Sequence, residues 1–151
     1  MMLKSGAAFA LALAIVNAAS AQQKNPYVNY TPEKFVENMQ TAGRNYAAVT
    51  SLLGSADYES AKAQLTRARE QLAITITFWR DRQKADAVAL LRTALSSMDS
   101  LDAALGTERV DASVVRTASA RVDSACNACH AIYRDQDPVT KAYRLKPGSV
   151  Q

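Results

Sequence analysis

Apolar residues recur along most of the chain at spacings of three and four. Phe35, Met39, Ala42, Tyr46, Val49 and Leu53 make one stripe, and Tyr58, Ala61, Leu65, Ala68, Leu72, Thr75 and Trp79 make a second. Val88, Leu91, Leu95, Met98, Asp102 and Leu105 make a third, with Asp102 its one polar member. Val110, Val114, Ala118, Val122, Ala125, Cys129 and Ile132 make the fourth, with Asp111 near its start. This spacing returns a side chain to the same face of an α-helix at every turn, so each stripe predicts a helix turned toward a common core.

Stop and start signals frame the stripes. Thr31-Pro32-Glu33 has an N-cap residue, a proline for the first helical position and an acid for the first turn. Gly54 ends the first helix, Asp57 or Ser55 caps the second, and Gly106 closes the third. Neither Gly nor Pro separates the second stripe from the third. Continued in phase, however, the second stripe would need apolar residues near 82 and 86, where the chain has Arg82 and Asp86. The lost phase predicts a turn within Trp79–Lys84.

Four helices of about 20 residues with short connections predict an all-α fold, arranged as an antiparallel four-helix bundle. The bundle domain spans residues 22–135, with QQKNPYVNY as a loose lead-in. After Arg134 comes DQDPVTKAYRLKPGSVQ, where Pro138 and Pro147 oppose a long helix. Residues 136–151 are expected to form an extended tail with room for a short turn. Composition agrees with a helical fold, since 5 Gly and 4 Pro leave little for the turns of a sheet protein. Three Phe and one Trp make a thin aromatic core.

The first 21 residues are expected to lie outside the fold. Lys4 precedes an apolar run from Gly6 to Val16, and Ala19-Ser20-Ala21 is a small-residue cleavage site. This is the pattern of a secretory signal peptide cut after Ala21. A membrane anchor is the competing interpretation, but the run is roughly 11 residues and a span needs about 20. Export to the periplasm, with no membrane span after cleavage, is therefore expected. Without Lys4, the 18 basic residues become 17 against 14 acidic ones, a formal charge of +3. The charges alternate in sign, as in TRAREQ and WRDRQKAD, which describes a solvated face rather than a nucleic-acid patch.

Both cysteines and the only histidine fall in one pentapeptide, CNACH, from Cys126 to His130. An oxidising compartment invites a disulfide. A bridge across three residues, however, closes so small a loop that it constrains almost nothing. C-x-x-C-H is the attachment signature of c-type haem. Positions i and i+3 of a helix share a face, so Cys126 and Cys129 can meet the two vinyl groups of one porphyrin. His130, at i+4, can set a ring nitrogen on the iron. A structural zinc site needs about four ligands, and the chain has three Cys and His in total. A thioredoxin-like pair expects a βαβ setting with the motif opening a helix, whereas this motif closes one.

CNACHAIYR at the end of the fourth helix of an exported chain resembles the cytochrome c′ family, which carries its haem motif near the C-terminus. ITFWRDRQKADAVALL is similar to the family's apolar-Trp-x-Asp segment leading into the third helix. EKFVENMQTAGRNYAAV is similar to its first helix, whose side chains approach the haem from the far side. The likeness covers roughly residues 31 to 135. AREQLAITITFW lacks the Phe-Pro-x-Gly-Ser-type loop that often precedes the tryptophan, and the tail beyond Arg134 is longer than the family pattern.

The resemblance implies one covalently bound haem c with His130 as the proximal iron ligand. It puts Met39 at the family's distal position, with Gly43 one turn on, where a flat macrocycle can approach the backbone. Methionine ligation would imply a low-spin electron carrier. The alternative is a five-coordinate protein that binds diatomic gases, with Met39 as ordinary core filling. Met98 is expected in the core. Arg134, one turn after His130, is expected near the haem edge, screening a propionate or a distal charge, or else to interact with the last helix carbonyls. Trp79 is expected in the core more than against a cofactor, and Tyr133 and Tyr143 have no assigned role. No second histidine and no paired acid and base suggest an enzyme. A redox partner protein is implied, and family members often form a homodimer through their first two helices. Two propionates would bring the net charge to about +1, so electrostatic steering of a partner should be weak.

Overall fold

The computed structural model describes residues 31–150. The expected signal peptide, its expected cleavage site and the lead-in to Tyr30 lie outside the described residues. The fold is mostly helical. Four long helices, α1 (Pro32–Gly54), α2 (Tyr58–Ala73), α4 (Ala85–Leu105) and α5 (Ala112–Tyr133), account for most of it. A short helix, α3 (Ile76–Asp81), stands between α2 and α4. Two strands, β1 (Arg134–Gln136) and β2 (Tyr143–Leu145), follow α5. Among the described residues no helix is long and apolar enough to cross a membrane.

The helix ends follow from local chemistry. Thr31 Oγ1 accepts from Lys34 N at 3.3 Å, with Pro32 at the first helical position. Such a cap stabilises a helix by about 1 kcal/mol. Asp57 caps α2 through Ser60 N (3.1 Å), and Asp111 caps α5 through Ser113 N (2.7 Å) and Val114 N (3.3 Å). Gly54 is the last residue of α1, yet the left-handed position of that turn falls on Ala56 (φ 58°). Gly106 is the C-cap of α4.

α1 packs on α2, α2 on α4, and α4 on α5. The core runs along these contacts through Val49, Ala61, Leu65, Leu101 and Val122, all essentially inaccessible to solvent. Fully burying a leucine or valine stabilises the fold by about 1.5–3 kcal/mol relative to exposure. Asp102, the polar member of its stripe, holds Lys62 of α2 at 2.6 Å, so α4 meets α2 through an ion pair at the edge of the apolar contact. Arg69 pairs with Asp99 on the same face.

The turn expected within Trp79–Lys84 falls at Arg82–Lys84, where Gln83 takes a left-handed backbone (φ 56°) and Lys84 N bonds Trp79 O at 3.0 Å. A second break, at Ile74 and Thr75, was not expected. It separates α2 from α3 without Gly or Pro. The Thr75 hydroxyl is buried and bonds Leu72 O at 2.6 Å, satisfying a carbonyl at the helix end.

Two positions of the fourth stripe are corrected. Val114 and Ile132 are about half exposed, at 52% and 48%, and Val115 and Tyr133 are buried in their stead. Both choices preserve a helical spacing. Tyr133 prevails because its ring packs on Trp79 and its hydroxyl reaches Asp86.

The tail also differs from expectation. It is not simply extended: β1 and β2 pair antiparallel, with Arg134 opposite Leu145 and Gln136 opposite Tyr143. Asp137 Oδ1 accepts from Val139 N (2.9 Å) and Thr140 N (2.8 Å), an Asx-type turn that reverses the chain. Lys146 N bonds Tyr133 O at 2.8 Å, and β2 rests against α1. The hairpin therefore folds back over the end of α5.

Candidate functional site

α1 and α5 are not packed directly against one another along their length. The Tyr46 hydroxyl bridges them at one level, lying 3.2 Å from Ser119 O and 3.1 Å from Ser119 Oγ. Toward the α5 C-terminus they border a cavity of about 540 Å³, within the size range of a cofactor site. α5 contributes Ala125, Cys126, Cys129, His130 and Tyr133 to its wall. α1 contributes Phe35, Met39, Gly43 and Arg44 from the other side. Leu72, Trp79, Leu91 and Ala94 line it from the core, and the hairpin residues Lys141–Leu145 close a further side.

An aromatic cluster forms the floor. Phe35 stacks on Phe78 at 4.2 Å, and both meet Trp79 edge-on, at 4.9 and 5.0 Å. Trp79 in turn meets Tyr133 at 4.5 Å. Tyr133 O–H donates to Asp86 Oδ2 at 2.6 Å. Trp79 is thus a core residue, 2% exposed, whose ring also lines the cavity. The cluster joins α1, α3 and α5 beneath the site, and the Asp86 bond adds α4.

The three residues of the pentapeptide motif share one helical face, as their spacing requires. Cys126 and Cys129 are free thiols, half-buried, each with one side toward the cavity. Burial pushes the Cys126 thiol up, and the charge of Asp123 adds to the effect. Burial, then Cys126 and Asp86, pushes Cys129 up to about 11. Both therefore stay protonated at neutral pH, unlike the low-pKa thiolate of a redox-active pair. Burial, aided by Arg134, pushes His130 down to about 4. The imidazole is neutral at physiological pH, the state that can donate a lone pair to a metal.

Met39 lines the same cavity from α1 and is half-buried. Gly43, one turn on, has no atom within 4 Å of where a Cβ would stand, so its backbone borders open space in the cavity. Met98 is 2% exposed in the core and does not line the cavity. Arg134 caps α5, its N–H bonding His130 O, and its guanidinium lies over the Tyr143 ring at 4.4 Å at the cavity wall.

The donor set matters for what the cavity can hold. Among the described residues no group of three or more His, Cys, Asp or Glu side chains is arranged to hold a metal ion. One imidazole and one thioether cannot complete the shell of a bare ion. They suit an iron whose equatorial positions are already filled by a macrocycle, because such an iron needs only axial ligands. The apolar walls and the open space before Gly43 fit a large flat group.

Cys126, Cys129, His130, Arg134 and Met39 therefore meet at one cavity. Arg44, Tyr133 and the hairpin residues Lys141–Leu145 belong to it as well and were not anticipated. Asp137-Pro138 was a turn signal for the hairpin, and the Tyr143-Arg144-Leu145 alternation a strand signal. No protein-family model, no curated protein and no solved structure matches the chain.

Proposed function

We propose that this protein is an exported monohaem c-type cytochrome that carries single electrons in the periplasm. Its helices form an antiparallel four-helix bundle. The observation that carries this proposal is the convergence of Cys126, Cys129 and His130 from α5 with Met39 from α1 on one cavity. When bound, the haem iron supplies a one-electron couple between ferric and ferrous states.

The chain's own residues do the rest. Cys126 and Cys129, which line the cavity from one face of α5, would hold the haem through thioether bonds to its two vinyl groups. Two such links on one helix face fix the orientation of the cofactor. His130, held neutral by burial, would hold the iron through a ring nitrogen. Met39 would hold the iron from α1 through its thioether, a ligand that favours the ferrous state. The aromatic floor and the hairpin border the apolar part of the cavity and would shield a bound cofactor there from water. A redox protein is the expected partner.

The test of attachment is haem-specific staining of the denatured protein after production in a host that matures c-type cytochromes. The wild type is expected to retain haem through denaturation, and Cys126→Ala/Cys129→Ala to lose it. Wild-type protein without denaturation-resistant haem contradicts the proposal.

A further inference from the structure

The charged residues that line the cavity are of one sign, although Asp86 and Asp123, which do not line it, act on Cys129 and Cys126. Arg44, Arg134, Lys141 and Arg144 line it, and no aspartate or glutamate does. Two of these cations are already engaged. Arg144 is held by Asp135 at 3.0 Å and by Asp137 at 3.3 Å. Arg134 lies over Tyr143. Arg44 donates to a neutral partner, Thr41 Oγ1, at 2.9 Å. The Lys141 ammonium has no hydrogen-bond or ion-pair partner among the described residues.

The turn that carries Lys141 is firmly built. Lys141 N bonds Asp137 O at 3.0 Å, and Gln136 Nε2 bonds Lys141 O at 2.9 Å. Asp137 Oδ1 accepts from the backbone N–H groups of Val139 and Thr140, the two residues before Lys141. These bonds maintain Lys141 in a left-handed backbone (φ 61°) that a residue with a Cβ seldom adopts. Lys141 is thus placed at the cavity wall by a defined loop rather than by a loose tail.

We propose that Lys141 and Arg44 form a carboxylate-binding subsite at the mouth of this cavity, and that the C-terminal hairpin closes on the carboxylate-bearing edge of the cofactor. This rests on the haem assignment. Haem is a flat apolar body with two carboxylates on one edge. Leu72, Leu91 and Ala94 suit the body, and two cations without acidic partners suit the edge. A carboxylate arriving there gains charge-assisted hydrogen bonds without breaking an existing ion pair. Lys141 lies beyond the residues that resemble cytochrome c′ proteins, so the subsite belongs to the tail particular to this chain.

The test is a pH titration of the midpoint potential on haem-loaded, full-length protein. Wild type is compared with Lys141→Asn, Lys141→Arg and Arg67→Gln. Asparagine tolerates a left-handed backbone. Arg67 is exposed on α2 away from the cavity and controls for net charge. Arg134, Arg144 and His130 also face the cavity and are common to all four proteins. A cation beside a haem carboxylate keeps it ionised and disfavours the ferric charge. Lys141→Asn is therefore expected to lower the potential at neutral pH and to move the inflection of its pH profile upward. Lys141→Arg restores both, and Arg67→Gln alters neither. If Lys141→Asn does not load haem, Arg44→Gln, on α1, is expected to give the same two shifts. Covalent haem with a Lys141→Asn or Arg44→Gln profile like that of Arg67→Gln removes the subsite and leaves haem attachment standing. Wild-type protein without covalent haem removes both.

Discussion

Tyr133 and Asp86 join the end of α5 to the start of α4 through a 2.6 Å hydrogen bond. The Tyr133 ring is buried against Trp79, three residues beyond His130. This single side chain anchors the helix turn that carries the imidazole. Its two roles separate by substitution. Tyr133→Phe keeps the ring and removes the hydroxyl, so urea denaturation should show a small loss. Tyr133→Ala removes the ring and should cost about 3–5 kcal/mol, as for other buried aromatics. Equal losses for the two variants would mean that the Asp86 bond, rather than the Trp79 contact, holds the helix end.

Tyr46 makes the fold sensitive to alkali. Burial, offset in part by the Ser119 hydrogen bond, pushes its phenol from 10 up to about 12. Between those values the unfolded chain releases the proton and the folded chain keeps it. The stability linked to Tyr46 is therefore complete below pH 10 and is lost as pH rises through about 12. Thermal melts at rising pH should show this loss, and Tyr46→Phe should remove the corresponding part of the slope. A Tyr46→Phe profile identical to wild type would exclude Tyr46 as its source.

Much of the helical fold is legible in the sequence because helices declare themselves locally. The stripes, Thr31-Pro32, Asp57 and Asp111 depend on neighbours within one or two turns. The pentapeptide motif is legible for the same reason. What escapes is decided at longer range. Tyr133 displaces Ile132 from the core because Trp79 and Asp86, distant in sequence, reward it twice. The break at Ile74 and Thr75 has no Gly or Pro to announce it. The hairpin needs β2 to find both β1 and α1, and the proline-containing tail conceals that pairing. Arg44 and Lys141 look like ordinary surface cations until the fold brings them to one cavity.

Gly43 separates tolerance of the fold from tolerance of the cofactor. A Cβ there meets nothing within 4 Å. In the cofactor-free protein Gly43→Ala should therefore stabilise α1, by up to about 1 kcal/mol from helix propensity. Gly43→Phe, read by haem content and absorption, should impair loading because the ring enters the cavity. Normal loading of Gly43→Phe would mean that the flat group does not lie against this backbone.

The two methionines of the described chain should part cleanly. Met98 is buried away from the cavity, so Met98→Ala should cost about 2–5 kcal/mol and leave the haem spectrum unchanged. A changed spectrum with unchanged stability would reverse the assignment of Met98 to the core.

The most direct measurement is the absorption spectrum of the haem-loaded protein, ferric and ferrous, with and without carbon monoxide, for wild type and Met39→Ala. Ligation by His130 and Met39 predicts a low-spin wild type in both states, a methionine–iron charge-transfer band in the ferric form and slow uptake of carbon monoxide. It predicts a high-spin Met39→Ala that binds the gas at once. A wild type that is already high-spin and binds carbon monoxide immediately, with a spectrum that Met39→Ala leaves unchanged, would contradict the electron-carrier assignment and identify a gas-binding site.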